Sequence, residues 1–148
     1  MANSRRDQKH LGIDSNVLVA YLVPEHPEHG MVKWLANKDH AVNPTVIHET
    51  YHTCIFKLKR DPEQTVKVLL SYMKLALCLP ITEKTTELGL KLALEHGLGG
   101  RYALILASYF SSRQVSRFVT LDKSLLRIGQ IKSGNKILKI STLPHVGR

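Results

Sequence analysis

The chain has 148 residues, 43% hydrophobic and 22% charged, and 21 Lys plus Arg against 12 Asp plus Glu give it a net charge of +9. That is one domain's length with enough apolar content for a core, which excludes a disordered, collagen-like or Pro-rich chain. The charge points to a polyanionic partner, either nucleic acid or an anionic membrane surface.

Residues 1–10 read as a polar tail ahead of a single domain over 11–148. Arg5-Arg6 lacks the apolar stretch of an export signal, because Asp14, Asn16 and Pro24 interrupt the apolar residues after it. No run approaches about 18 apolar residues, so no membrane association is expected. Cys54 and Cys78 form neither a disulfide framework nor a CxxC metal pair, so the expected compartment is the reducing cytoplasm. Both are expected to be inert core thiols.

Leu11 to Asp14 is a short apolar run ending in an acid. Asp14 or Ser15 can cap the helix NVLVAYLV, which stops at Pro24. A second helix is expected over 27–38 and a short strand over 40–43. The next helix, from Thr45 to about Arg60, carries Ile47, Tyr51, Cys54, Ile55 and Leu58 as one apolar stripe. Asp61-Pro62 starts another helix, running to about Lys74. A buried strand is expected within 75–81. Thr82 then caps a helix ending near His96, before Gly97 and Gly99-Gly100. The helix from Arg101 to Arg113 is apolar on nearly every side, which predicts burial within the domain. RFVTL reads as a strand stopped by Asp122, residues 123–128 as a short helix, and KILKIS as a last strand with edge-like lysines. Short strands separated by helices predict a three-layer α/β/α sandwich around a mostly parallel sheet of four to five strands.

In such sheets ligands bind beyond the carboxyl ends of the strands. Asp14 and Asp122 stand at strand ends, and Glu49 lies one turn into the helix after the second strand. Each has a plainer reading. Asp14 can simply cap a helix. Glu49 lies roughly opposite its helix's apolar stripe, as on a solvated face. Asp122 can accept an ion pair, being the one acid after Glu95 among Arg101, Arg113, Arg117, Lys123, Arg127, Lys132, Lys136, Lys139 and Arg148. Brought together, three carboxylates repel unless a cation neutralises them, and Mg2+ or Mn2+ is the economical choice. Such an acidic metal site within a basic surface suits a nuclease.

The segments IDSNVLVAYL, NPTVIHETYHTCIFKL, GGRYALILASYF and RFVTLDKSL, in that order, resemble the PIN-domain family. The likeness is nearest to the small VapC-type ribonucleases of toxin–antitoxin pairs and runs from about residue 11 to 141. The resemblance implies a metal-dependent endoribonuclease with RNA as substrate, an antitoxin partner and a homodimer or higher homo-oligomer. It places the catalytic and metal-binding acids at Asp14, Glu49 and Asp122, with Ser15, Asn16 and Thr120 supporting them. Arg101, Arg113, Arg117, Lys123 and Arg127 are the expected nucleic-acid contacts. One position departs from the family pattern. The acid expected directly before Ala-Leu on the buried helix is here Tyr102, preceded by Arg101, whose charge can replace part of a metal's. The alternative is therefore a catalytically weak RNA-binding module on the same fold.

His48-Glu49-Thr50-Tyr51-His52 also matches HExxH, the zinc-binding helix of metalloproteases. No third-ligand motif lies downstream, and that reading leaves Asp14 and Asp122 without a role. Trp34 is expected to be a packing residue, with base stacking as the alternative.

Overall fold

The computed structural model describes residues 10–142, so most of the expected N-terminal tail and residues 143–148 lie outside the described residues. A six-stranded sheet in the order β3-β2-β1-β4-β6-β5 forms the centre. The strands are β1 (His10–Ile13), β2 (His40–Val42), β3 (Leu77–Cys78), β4 (Val115–Val119), β5 (Gln130–Ser133) and β6 (Lys136–Ser141). All pairings are parallel except β5 with β6. The helices are α1 (Ser15–Leu22), α2 (His29–Val32), α3 (Pro44–His52), α4 (Pro62–Leu75), α5 (Glu83–His96), α6 (Gly100–Phe110) and α7 (Lys123–Ile128).

Local chemistry sets the helix starts. The side chains of Asn43, Asp61 and Thr82 each accept a backbone N–H one turn on, and Pro44 and Pro62 occupy first positions where no donor is lost. Thr82 and Thr85 form a reciprocal capping box. Helix α6 is buried from Ile105 to Phe110, as its composition predicts.

Tyr109 of α6 fixes this helix to the sheet. Its hydroxyl donates to the Ile13 carbonyl at 2.6 Å, and its ring leaves no space for a side chain at residue 12. A β-carbon on Gly12 would lie 2.8 Å from Tyr109 Cγ. On the other side of the sheet, buried His40 bonds the Tyr72 hydroxyl at 2.8 Å and the Leu35 carbonyl at 2.7 Å, tying α4 to β2.

Several expectations need correction. The sheet has six strands because Gln130–Ser133 pairs back on β6; the strand is exposed except at Ile131 and shows no apolar run. That hairpin places β6 inside the sheet, so its lysines do not guard an edge. Strand β1 begins at His10. The helix expected over 27–38 is the short α2 followed by a 3-10 turn over Lys33–Asn37. Helix α3 gives way at Thr53–Lys57 to a wider π-helical turn, which slips the apolar stripe. Cys54 stays buried as expected, whereas Leu58, the last member of the stripe, faces outward at 38% exposure. Cys78 is exposed, because strand β3 is only two residues long and lies at the sheet edge.

Gly12→Ala is expected to lower stability by about 1–3 kcal/mol through overpacking against Tyr109. Urea unfolding of the variant checks this; an unchanged midpoint would show that the ring can yield.

Candidate nucleic-acid cleft

Asp14 follows β1 directly and is 1% exposed. Its Oδ1 accepts the Ser15 N–H at 2.7 Å, so it caps α1, and its Oδ2 accepts the Thr120 hydroxyl at 2.6 Å. Burial raises its pKa from 3.8 to about 6; the Thr120 and Ser15 hydrogen bonds oppose the rise, and the charges of Glu49 and Asp122 add to it.

Thr120 also accepts the Asp122 N–H at 3.0 Å and lies 3.4 Å from Asn16 Nδ2. Asn16 Oδ1 in turn accepts the Leu121 N–H at 3.1 Å. Asn16 and Thr120 thus join the carboxyl ends of β1 and β4, the two central strands.

Glu49 does not lie on a solvated face. Helix α3 turns it over the end of β1, where its side chain is 17% exposed and its Oε1 accepts the Ser15 hydroxyl at 2.8 Å. Its Oε2 pairs with Arg101 Nε at 2.6 Å. The Arg101 guanidinium also stands 5.0 Å from the centre of the Tyr102 ring, with Nη2 3.4 Å from the Tyr102 hydroxyl. Asp14, Ser15, Asn16, Glu49, Arg101 and Tyr102 line one cleft of about 840 Å³, with His48 and His52 on its border.

Asp122 stands beside this cleft, not in its lining. Its Oδ1 accepts Ser124 N–H at 2.8 Å, the Ser124 hydroxyl, and Leu125 N–H at 3.2 Å, which makes it the cap of α7. The Ser124 hydroxyl is the main cause of its lowered pKa, and the Tyr102 hydroxyl adds to it. Its structural role is thus that of a helix cap, where the sequence suggested an ion-pair acceptor.

Of the five expected nucleic-acid cations, only Arg101 lines the cleft. Arg113 precedes β4, near the amino end of that strand. Arg117 points from the middle of β4 onto a sheet face, and Lys123 and Arg127 are exposed on α7. Proximity along the chain therefore does not place these cations in the lining of the cleft.

The family pattern leads to a divalent ion, and the donors as they stand do not fit one. Among the described residues no three of His, Cys, Asp and Glu gather closely enough to hold a metal. Protein donors already engage Asp14 and Asp122, and a guanidinium occupies the side of Glu49 where a metal's charge would sit. His48 and His52 likewise find no third ligand among the described residues, so the zinc-protease reading gains no support.

The PIN domain family model matches residues 12–131. The chain belongs to the PIN domain family. Its fold is shared with the Mycobacterium tuberculosis toxin VapC20, described as cleaving the sarcin–ricin loop, at a TM-score of 0.69 and 15% identity over 83% of this chain and 98% of that one. VapBC2 from Rickettsia felis, bound to a DNA fragment from its promoter, gives 0.64 and 17% over 90% and 98%. DNA-bound VapBC from Salmonella typhimurium gives 0.62 and 15% over 90% and 97%. At these identities the likeness establishes the PIN fold. No curated protein sequence matches the chain.

The folded chain keeps the Asp14 proton up to about pH 6, whereas the unfolded chain releases it near 3.8. The folded state binds more protons between those values, so this group's contribution to stability falls as pH rises through that window. The loss is on the order of 2–3 kcal/mol by neutral pH. Asp14→Asn is expected to flatten this part of the pH profile and raise the thermal midpoint at pH 8; an unchanged slope between pH 4 and 7 would refute the assignment.

Proposed function

We propose that this protein is a PIN-type endoribonuclease in a restrained form. It binds the phosphate backbone of RNA in the cleft and hydrolyses it slowly, because Arg101 is paired with Glu49. The observation that carries this reading is the meeting of Asp14 and Glu49 from separate segments through Ser15, with Asp122 tied in through Thr120. Such convergence at the carboxyl edge of a parallel sheet marks a ligand site. Asp14, with its pKa near 6, is suited to proton transfer close to neutrality. Arg101, 60% exposed in its side chain, supplies the cation that meets a phosphate. Asp14, Glu49 and Asp122 are the catalytic candidates, positioned by Ser15, Asn16 and Thr120.

A second reading, an RNA-binding module without hydrolysis, draws support from Tyr102, which stands where the family pattern has an acid. The two readings differ over whether Glu49 is ever released. A Mg2+ or Mn2+ site would require Arg101 to leave.

The toxin–antitoxin complexes among the structural relatives support an antitoxin partner, and self-association and a cytoplasmic setting are part of the same proposal. An apolar groove of about 600 Å³ between α3 and α4, lined by Ile47, Tyr51, Leu69, Leu70 and Met73 among others, supports a protein partner.

Labelled RNA in Mn2+ provides the test. Wild type is expected to bind RNA and cleave it slowly, with cleavage reduced at least 100-fold in Asp14→Asn. Arg101→Gln is expected to bind Mn2+ about tenfold more tightly by electron paramagnetic resonance, and RNA more weakly. Cleavage that survives Asp14→Asn would sink the hydrolytic site. RNA binding without cleavage in wild type and Arg101→Gln alike would establish the binding module. Equal Mn2+ affinity in both would refute the role of Arg101.

A further inference from the structure

Helices α1 to α4 accompany β1, β2 and β3 on one side of the sheet, while α6 and α7 pack against β4 and β6 from the other. Residues alternate accordingly. Phe118, Ile131, Leu138 and Ile140 are buried toward α6 and α7. Arg117, Lys139 and Lys132 point the opposite way and are exposed. Among the described residues no helix covers this part of the sheet.

Arg117 and Lys139 are direct partners across β4 and β6. Like charges placed so oppose sheet formation. They do not serve as edge protection, because β5 is the edge strand. Beside them runs a groove of about 440 Å³ lined by Leu11, Trp34, Lys38, Arg117, Val119 and Ser141, with no acid among its lining residues. Trp34 packs against the core, as expected, and the part of its ring that lines the groove has Lys38 Nζ 5.9 Å from its centre. Cations beside an aromatic ring form the combination that binds single-stranded nucleic acid, the cations following the backbone and the ring stacking a base.

We propose that this open face is a second RNA site, distinct from the cleft. Single-stranded RNA lays its phosphates along Arg117, Lys139 and Lys132 and stacks a base on Trp34. Val119 lines this groove, and the residue after it is Thr120, which holds Asp14. The choice of RNA as occupant rests on the ribonuclease reading; the placement does not.

Trp34 is the chain's sole tryptophan, which makes its fluorescence a local reporter. A 12-residue oligouridylate titrated into the non-cleaving Asp14→Asn protein is expected to quench Trp34 saturably. Lys132→Glu/Lys139→Glu, both exposed positions, is expected to keep the thermal midpoint and bind at least tenfold more weakly. The slope of log K against log salt should fall by about 1.4 for two lost phosphate contacts. RNA binding seen by anisotropy with unchanged Trp34 emission would overturn the proposal and leave the cleft as the site. Quenching by anionic lipid vesicles or polyglutamate but not by RNA would overturn it too. Quenching by RNA, with no cleavage of RNA by wild type or Arg101→Gln in Mn2+, would uphold the face and sink the ribonuclease reading.

Discussion

The hydroxyl of Thr120 is the contact on which the rest of the site depends. It donates to Asp14 and accepts from the backbone of Asp122, with the Asn16 amide close by. Desolvating a carboxylate is costly, and two good hydrogen bonds offset only part of that cost. The raised pKa of Asp14 is the visible remainder. The fold tolerates it because the same bonds close the gap between β1 and β4 at the carboxyl end of the sheet. At the Ile13 carbonyl, one residue earlier, Tyr109 anchors the buried helix to the same strand. Stability and site are therefore built from overlapping atoms, and a change at Gly12, Thr120 or Tyr109 acts on both.

The ion pair between Arg101 and Glu49 is short, yet it is not a permanent lock. Arg101 is more than half exposed, and ion pairs that water can reach contribute little, about 0–1 kcal/mol. Tyr102 presents its ring and hydroxyl to Arg101, and the same hydroxyl helps keep Asp122 ionised.

Much of this was legible in the chain. Asp14 and Asp122 were visible because strand ends and helix caps leave local marks, and the starts of α3, α4 and α5 followed from capping side chains and prolines. Glu49 was visible as a member of a pattern and misleading on its own helix, because the wheel of an isolated helix does not show which side a neighbouring strand end will face. The π-helical turn after His52 left no local sign. It moves Leu58 outward by altering the helix period. Strand β5 was hidden because its pairing with β6 depends on the partner strand; its own residues are mostly exposed and polar. The cations misled in a different way: clustering in sequence after Glu95 suggested one patch, and strand alternation sends them in different directions.

That alternation gives the net charge of +9 a geometry. Strand β4 is one of the central pair, and its two sides are treated differently. Toward α6 it buries Phe118 against Tyr109. Away from α6 it carries Arg117 into an uncovered face, and beyond its carboxyl end Thr120 holds the acid of the cleft. The crossover that brings the chain from β3 to β4 runs on the side of α6, so nothing in this connection covers the opposite face. A parallel sheet wound in this order leaves that half open unless further helices fill it, and here a short hairpin takes their place. An exposed half-sheet would ordinarily invite aggregation, and charged side chains are the usual remedy. Solubility alone calls for charge of either sign, however, and this face carries only one. The consistent sign, beside the sole tryptophan, argues for an anionic partner over simple protection of the surface.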